Sequence, residues 1–109
     1  MITTEQAEKA VAWLRENADN IAQARATRLY MEQWLKSQRA LLQCQQQGMS
    51  AAASEAVALS HPDYLKSLSA FKDAVHRDEY MRWMATAAEA KIEYWRSQEA
   101  TSRAIGRTG

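Results

Sequence analysis

The side chains able to do chemistry are few and scattered along the chain. Two histidines, His61 and His76, and a single cysteine, Cys44, lie without the paired spacing that a zinc site or an acid–base pair uses. His76 follows Asp73 by three residues and precedes Asp78, which reads as a helix-surface partner for a carboxylate. Cys44 sits among glutamines near an expected helix end and reads as a partly buried small residue rather than a nucleophile. Glu89 and Glu93 stand one helical turn apart, the spacing of carboxylate ligands in a bundle core. Arg82 and Arg96 share their strip and Lys91 is adjacent, so a solvated, salt-bridged face is the expectation. With only 3 glycines, two of them at Gly106 and Gly109, no phosphate-cradling loop or nucleophile elbow can be assembled. The expectation is a non-enzyme with no metal, no cofactor and no small-molecule substrate.

Binding to nucleic acid would need cations. The formal charge is +1, so no strong field steers the chain toward a polyanion. The charge is local instead. Arg25, Arg28, Lys36 and Arg39 fall on one helical face, with Glu32 placed to pair with Arg28 and Lys36. Either they touch phosphate or they form a charged outer face with internal pairs. Near the C-terminus, Tyr94 and Trp95 are followed by Arg96, Arg103 and Arg107, a mixture that can stack bases and reach phosphates on single strands. Trp95 also fits a helical seam, which would remove it from such a platform.

One cysteine excludes an intrachain disulfide, so packing must hold the fold, and a reducing cytoplasm is the expected compartment. No apolar stretch follows a basic start and nowhere do eighteen apolar residues run together, so neither a standard export signal nor a membrane span is expected.

The elements that must position these residues are helices. Alanine, glutamine and other helix formers dominate, while β-branched Ile and Val are scarce, so the chain reads as all-α. Between Thr3 and Ile105 only Gly48 and Pro62 normally stop a helix. They divide residues 1–109, read as one domain, into helices at about 4–47, 51–59 and 62–104, with a frayed tail over 105–109. Thr3 with Gln6 is spaced as a capping box, Ser50 can cap the short middle helix, and Ser60 ahead of Pro62 and Asp63 can cap the last. In the first helix the apolar stripe runs Ala7, Val11, Leu14, Ala18, Ile21, then shifts to Ala22, Ala26, Leu29 or Tyr30, Trp34, Leu41 and Cys44. Such a shift means one bent helix, or two helices broken near Asn17 to Asn20. The last helix carries an unbroken four–three seam of Phe71, Ala74, Asp78, Met81, Ala85, Ala88, Ile92 and Trp95. The economical fold is a long antiparallel helical hairpin with coiled-coil-like packing and a short middle helix over the joining end.

Two features of the last helix go beyond that fold. Asp78 interrupts the seam, and a carboxylate facing an apolar interface must find a cation, from Arg77, Arg82 or the arginines of the first helix, unless the register slips and exposes it. It is the candidate for pairing specificity. On a second face Tyr80, Trp83, Met84, Ala87 and Tyr94 recur at helical spacing, leaving only a polar strip of Arg82, Thr86, Glu89, Glu93 and Arg96. A hairpin needs one apolar stripe per helix, so this surplus predicts a partner: a second copy in a dimer or higher oligomer, or a host protein. Otherwise the middle helix or a broken first helix covers it.

His61-Pro62-Asp63-Tyr64-Leu65, and the run from Ala87 to Ser97 with its trailing Arg103, resemble small all-helical accessory proteins encoded by tailed bacteriophages. The resemblance covers the second half of the chain. It implies an association with phage recombination or with blocking host defence nucleases, in the cytoplasm of a bacterial host, and it names no catalytic residue. The leading expectation is a non-catalytic protein that inhibits or adapts a host nucleic-acid enzyme. A nucleic-acid-binding accessory protein in recombination or packaging is the alternative, and a structural component of an assembly the third reading.

Overall fold

A computed structural model describes residues 1–108. Three helices account for nearly all of them: α1 (Thr4–Cys44), α2 (Ala51–Ser60) and α3 (Pro62–Thr108). The fold is an all-α helical hairpin with a short middle helix. None of the helices is long and apolar enough to cross a membrane.

Local chemistry explains where the helices begin. The Thr3 hydroxyl accepts from the Gln6 amide at 3.1 Å while the Gln6 side chain accepts from the Thr3 amide at 2.9 Å, a reciprocal capping box. Ser50 caps α2 by accepting from the Ala53 amide at 3.2 Å. The cap of α3 is His61 rather than Ser60. Its Nδ1 accepts from the Asp63 amide at 3.0 Å, and its carbonyl takes the first helical bond from Leu65. Ser60 instead closes α2, its hydroxyl donating to the Ala56 carbonyl at 2.9 Å.

Helix ends differ from the expectation in two places. α1 stops at Cys44, and the chain turns toward α2 through Gly48, whose φ of +80° lies in the left-handed region that glycine adopts without a Cβ clash. At the other end, residues 105 to 108 continue α3 instead of fraying: Gly106 sits within the helix in open space and does not end it. Gly109 of the expected tail lies outside the described residues.

α1 is one uninterrupted helix, and the stutter expected near Asn17 to Asn20 does not occur. Ala7, Ala10, Leu14, Asn17, Ile21, Ala24, Arg28, Met31, Leu35, Gln38 and Leu42 are buried or half-buried and alternate by three and four throughout, with Trp13, the expected Trp34 and Gln43 half-buried beside them. Val11, Ala18, Ala22, Ala26, Leu29, Tyr30, Leu41 and Cys44, expected in the stripe, are exposed. Reading only apolar residues produced a false shift, because three seam positions are polar. On α3 the expected seam holds: Phe71, Ala74, Asp78, Met81, Ala85, Ala88, Ile92 and Trp95 are each buried or half-buried.

Contacts divide the chain into two compact units. Met1–Ala22 with the chain from Tyr80 onward forms the first, where the start of α1 lies antiparallel to the end of α3. Its core is Ala7, Ala10, Met81 and Ala88. Gln98 clamps the N-terminus there: its amide donates to the Ile2 carbonyl at 2.7 Å and accepts from the Ile2 amide at 2.9 Å. The Trp95 indole N–H donates to the Thr4 hydroxyl at 3.2 Å. Gln23–Glu79 is the second unit, containing the rest of α1, all of α2 and the start of α3. Ala24, Leu35, Leu42, Ala58 and Ala74 are buried in it, together with Ser54 and Asp78. Small residues dominate both cores, which lets helices approach closely but buries little area per residue.

Candidate binding interface

In the first unit α3 turns one flank to α1 and keeps another uncovered. Tyr80, Trp83 and Tyr94 are 56%, 67% and 55% exposed, with Met84 at 37% and Ala87 exposed beside them. Four of them follow from periodicity alone: with the seam placed toward α1, positions two and five residues after each first seam position, Tyr80, Trp83, Ala87 and Tyr94, point away from it, and Met84 lies between them and the seam. Neither route expected to cover this face operates, since α1 is unbroken and the rings remain open.

Met84 and Ala87 continue into a groove of about 270 Å³ whose floor includes Ala10 and Ala88 and whose α1 wall is Trp13. Lys9 and Lys91 stand at its edges. Trp13 belongs to this surface and was missed in the sequence, because it lies beside the α1 seam rather than in it. The seam shift placed that flank wrongly.

Arg28 leaves the expected cationic face of α1: at a seam position, its Nη1 donates to Asp78 Oδ2 at 3.1 Å and to Glu79 Oε1 at 3.0 Å, in place of the expected pairing with Glu32. Glu79 and Asp78 together hold the Arg28 guanidinium above its ordinary pKa. Asp78 is 5% exposed, and the arginine of α1 that answers it is Arg28. Arg25, Lys36 and Arg39 are exposed on α1. Arg96, Arg103 and Arg107 are exposed along one flank of α3, where the Arg96 guanidinium donates to Glu93 Oε1 at 2.9 Å. Trp95 is half-buried against Thr4, so it is no platform for stacking bases.

Cys44 is exposed rather than partly buried, His61 serves as a helix cap, and His76 is exposed with Asp78 committed elsewhere. Glu89 is exposed, and Glu93 pairs with Arg96. Among the described residues no three His, Cys, Asp or Glu side chains come together to hold a metal ion. Comparison with protein-family models, curated proteins and solved structures yields no match.

Proposed function

We propose that this protein is non-catalytic and acts by binding macromolecules through the aromatic flank of α3. One observation carries the reading: Tyr80, Trp83 and Tyr94 are each more than half exposed on a helix whose opposite face is already occupied by α1. Tyrosine and tryptophan combine large apolar area with a polar tip and little side-chain entropy, which makes them interface anchors. The resemblance to phage accessory proteins gives the reading its concrete form, inhibition or adaptation of a host nucleic-acid enzyme. Trp83→Ala with Tyr94→Ala in one chain is expected to abolish capture of partners from a bacterial lysate while leaving the helical circular dichroism intact. Captured partners retained by the double variant reject the face.

A second reading has its own support. Arg96, Arg103 and Arg107 share one flank because α3 continues to Thr108, and that geometry favours contact with a phosphate backbone. It ranks second because Arg28 is spent on Asp78 and Arg96 on Glu93. This reading requires oligonucleotide binding that falls steeply with salt and weakens when the three arginines become Gln. No binding at low salt ends it.

A further inference from the structure

We infer that the occupant of the aromatic face is a second copy of this chain, packed through α3 against α3 in antiparallel register about a twofold axis between Ala88 and Glu89. The inference rests on the reading of this face as a binding surface and names its partner.

The argument starts from spacing. Tyr80, Trp83, Ala87, Ala90, Tyr94 and Ser97 alternate by three and four residues and are all exposed. They form a second complete heptad stripe on the side of α3 away from α1, about 27 Å long at the rise of an α-helix. A stripe of that periodicity fits another helix of the same kind.

Size decides which helix and which direction. The stripe is nearly palindromic: two alanines at the centre, an aromatic residue beyond each, then Tyr80 at one end and Ser97 at the other. Antiparallel pairing sets Trp83 against Tyr94 of the second copy on both sides of the axis. Ala87 then meets Ala90 at the centre, and Tyr80 meets the small Ser97. Every layer recurs twice, as an isologous contact requires. Parallel pairing stacks Tyr80 on Tyr80 and Trp83 on Trp83 in consecutive layers, which wedges one end of the helix pair open.

Charge agrees with this register. On α3 itself the residues beside the stripe are Met84 and Lys91 on one edge, and Thr86 and Glu93 on the other, with Met1 and Ile2 next to Ala90 and Tyr94. In antiparallel register Lys91 faces Met84 of the second copy and Glu93 faces Thr86, so no like charges meet. Area suffices as well. Six aromatic side chains of about 200 Å² each, more than half of it uncovered, contribute about 700 Å². The alanines and edge residues carry the total to the roughly 1,000 Å² that a specific contact needs.

Light scattering after size exclusion, across a tenfold concentration range, is expected to return twice the 12.4 kDa chain mass. Trp83→Ala with Tyr94→Ala, and separately Ala87→Glu at the exposed centre of the stripe, are each expected to weaken self-association about tenfold or more without loss of helix. In a Cys44→Ser background, a spin label on Ser97→Cys is expected to report a distance of about 25 Å to its copy, whereas parallel pairing places the labels near 10 Å. A monomer at every concentration, a dimer that ignores both variants, or the short distance overturns the inference. Those outcomes remain separate from the wider reading: a monomer whose capture of a foreign partner still depends on Trp83 and Tyr94 overturns the self-partner alone.

Discussion

Arg28 of α1 and Asp78 of α3 occupy seam positions and meet there, Nη1 lying 3.1 Å from Oδ2. They are unequal partners: the Arg28 side chain is 30% exposed and reaches Glu79 as well, while the Asp78 side chain is 7% exposed. The pair sets the register. One heptad away from Arg28 the α1 seam carries Ile21 or Leu35, so a slipped hairpin would bury Asp78 against hydrocarbon with no cation in reach.

Removing the arginine should therefore harm the fold more than removing the carboxylate. Arg28→Met strands a buried charge and is expected to lower the melting temperature by several degrees. Asp78→Leu leaves an arginine that still has Glu79 and water, and the double variant is expected to recover most of the loss. A double-mutant cycle by urea denaturation measures the asymmetry, and equal losses from the two single variants contradict it.

The α1 seam can be checked where apolar reading and structure disagree. Ala24 is 2% exposed whereas Ala26 is exposed. Ala24→Leu is expected to cost about 1–3 kcal/mol through overpacking, and Ala26→Leu to stay within about 0.5 kcal/mol. Comparison of denaturation midpoints decides the register, and a reversed order returns the seam to Ala26.

Gln38 is a seam residue of α1 whose buried Oε1 accepts no hydrogen bond. Gln38→Leu keeps similar bulk and removes the unmet acceptor, so a gain of about 1 kcal/mol is expected. Thermal unfolding tests it. A loss on substitution shows that the amide does work of its own at that position.

The clamp of Gln98 on Ile2 joins the two ends of the first unit through backbone groups. Gln98→Ala frees the Ile2 amide, whose hydrogen exchange is expected to quicken about tenfold. The Ala7 amide, bonded within the first turn to the Thr3 carbonyl, is expected to change little. Exchange followed by nuclear magnetic resonance separates the two, and equal acceleration at both amides points to unravelling of the turn instead.

Much of this architecture is written in local chemistry. Alanine-rich composition, the Thr3–Gln6 capping box, the Ser50 cap, and the breaks at Gly48 and Pro62 each act over a few residues, so they can be read without knowing what lies across the fold. The α3 seam was legible for the same reason: with the one exception of Asp78 it is apolar, and its periodicity is intrinsic to the helix. The aromatic flank followed from it, as whatever the seam did not use.

Tertiary structure decided what depended on an opposing surface. Asn17, Arg28 and Gln38 are polar, and nothing in their own helix marks them as inward-facing. Asn17 belongs to the seam because its side chain is satisfied locally, its amide donating to the Trp13 carbonyl at 3.0 Å while its oxygen accepts from Asn20 at 3.2 Å. Arg28 belongs there because Asp78 faces it. That Arg28 is the first-helix arginine that meets Asp78, and that His61 accepts from the Asp63 amide while Ser60 turns back to the Ala56 carbonyl, follows from which groups the folded chain brings side by side. A charged or polar side chain can enter a core only where its partner already stands. That is a property of two segments brought together, whereas helix formation and the spacing of an apolar stripe are properties of one.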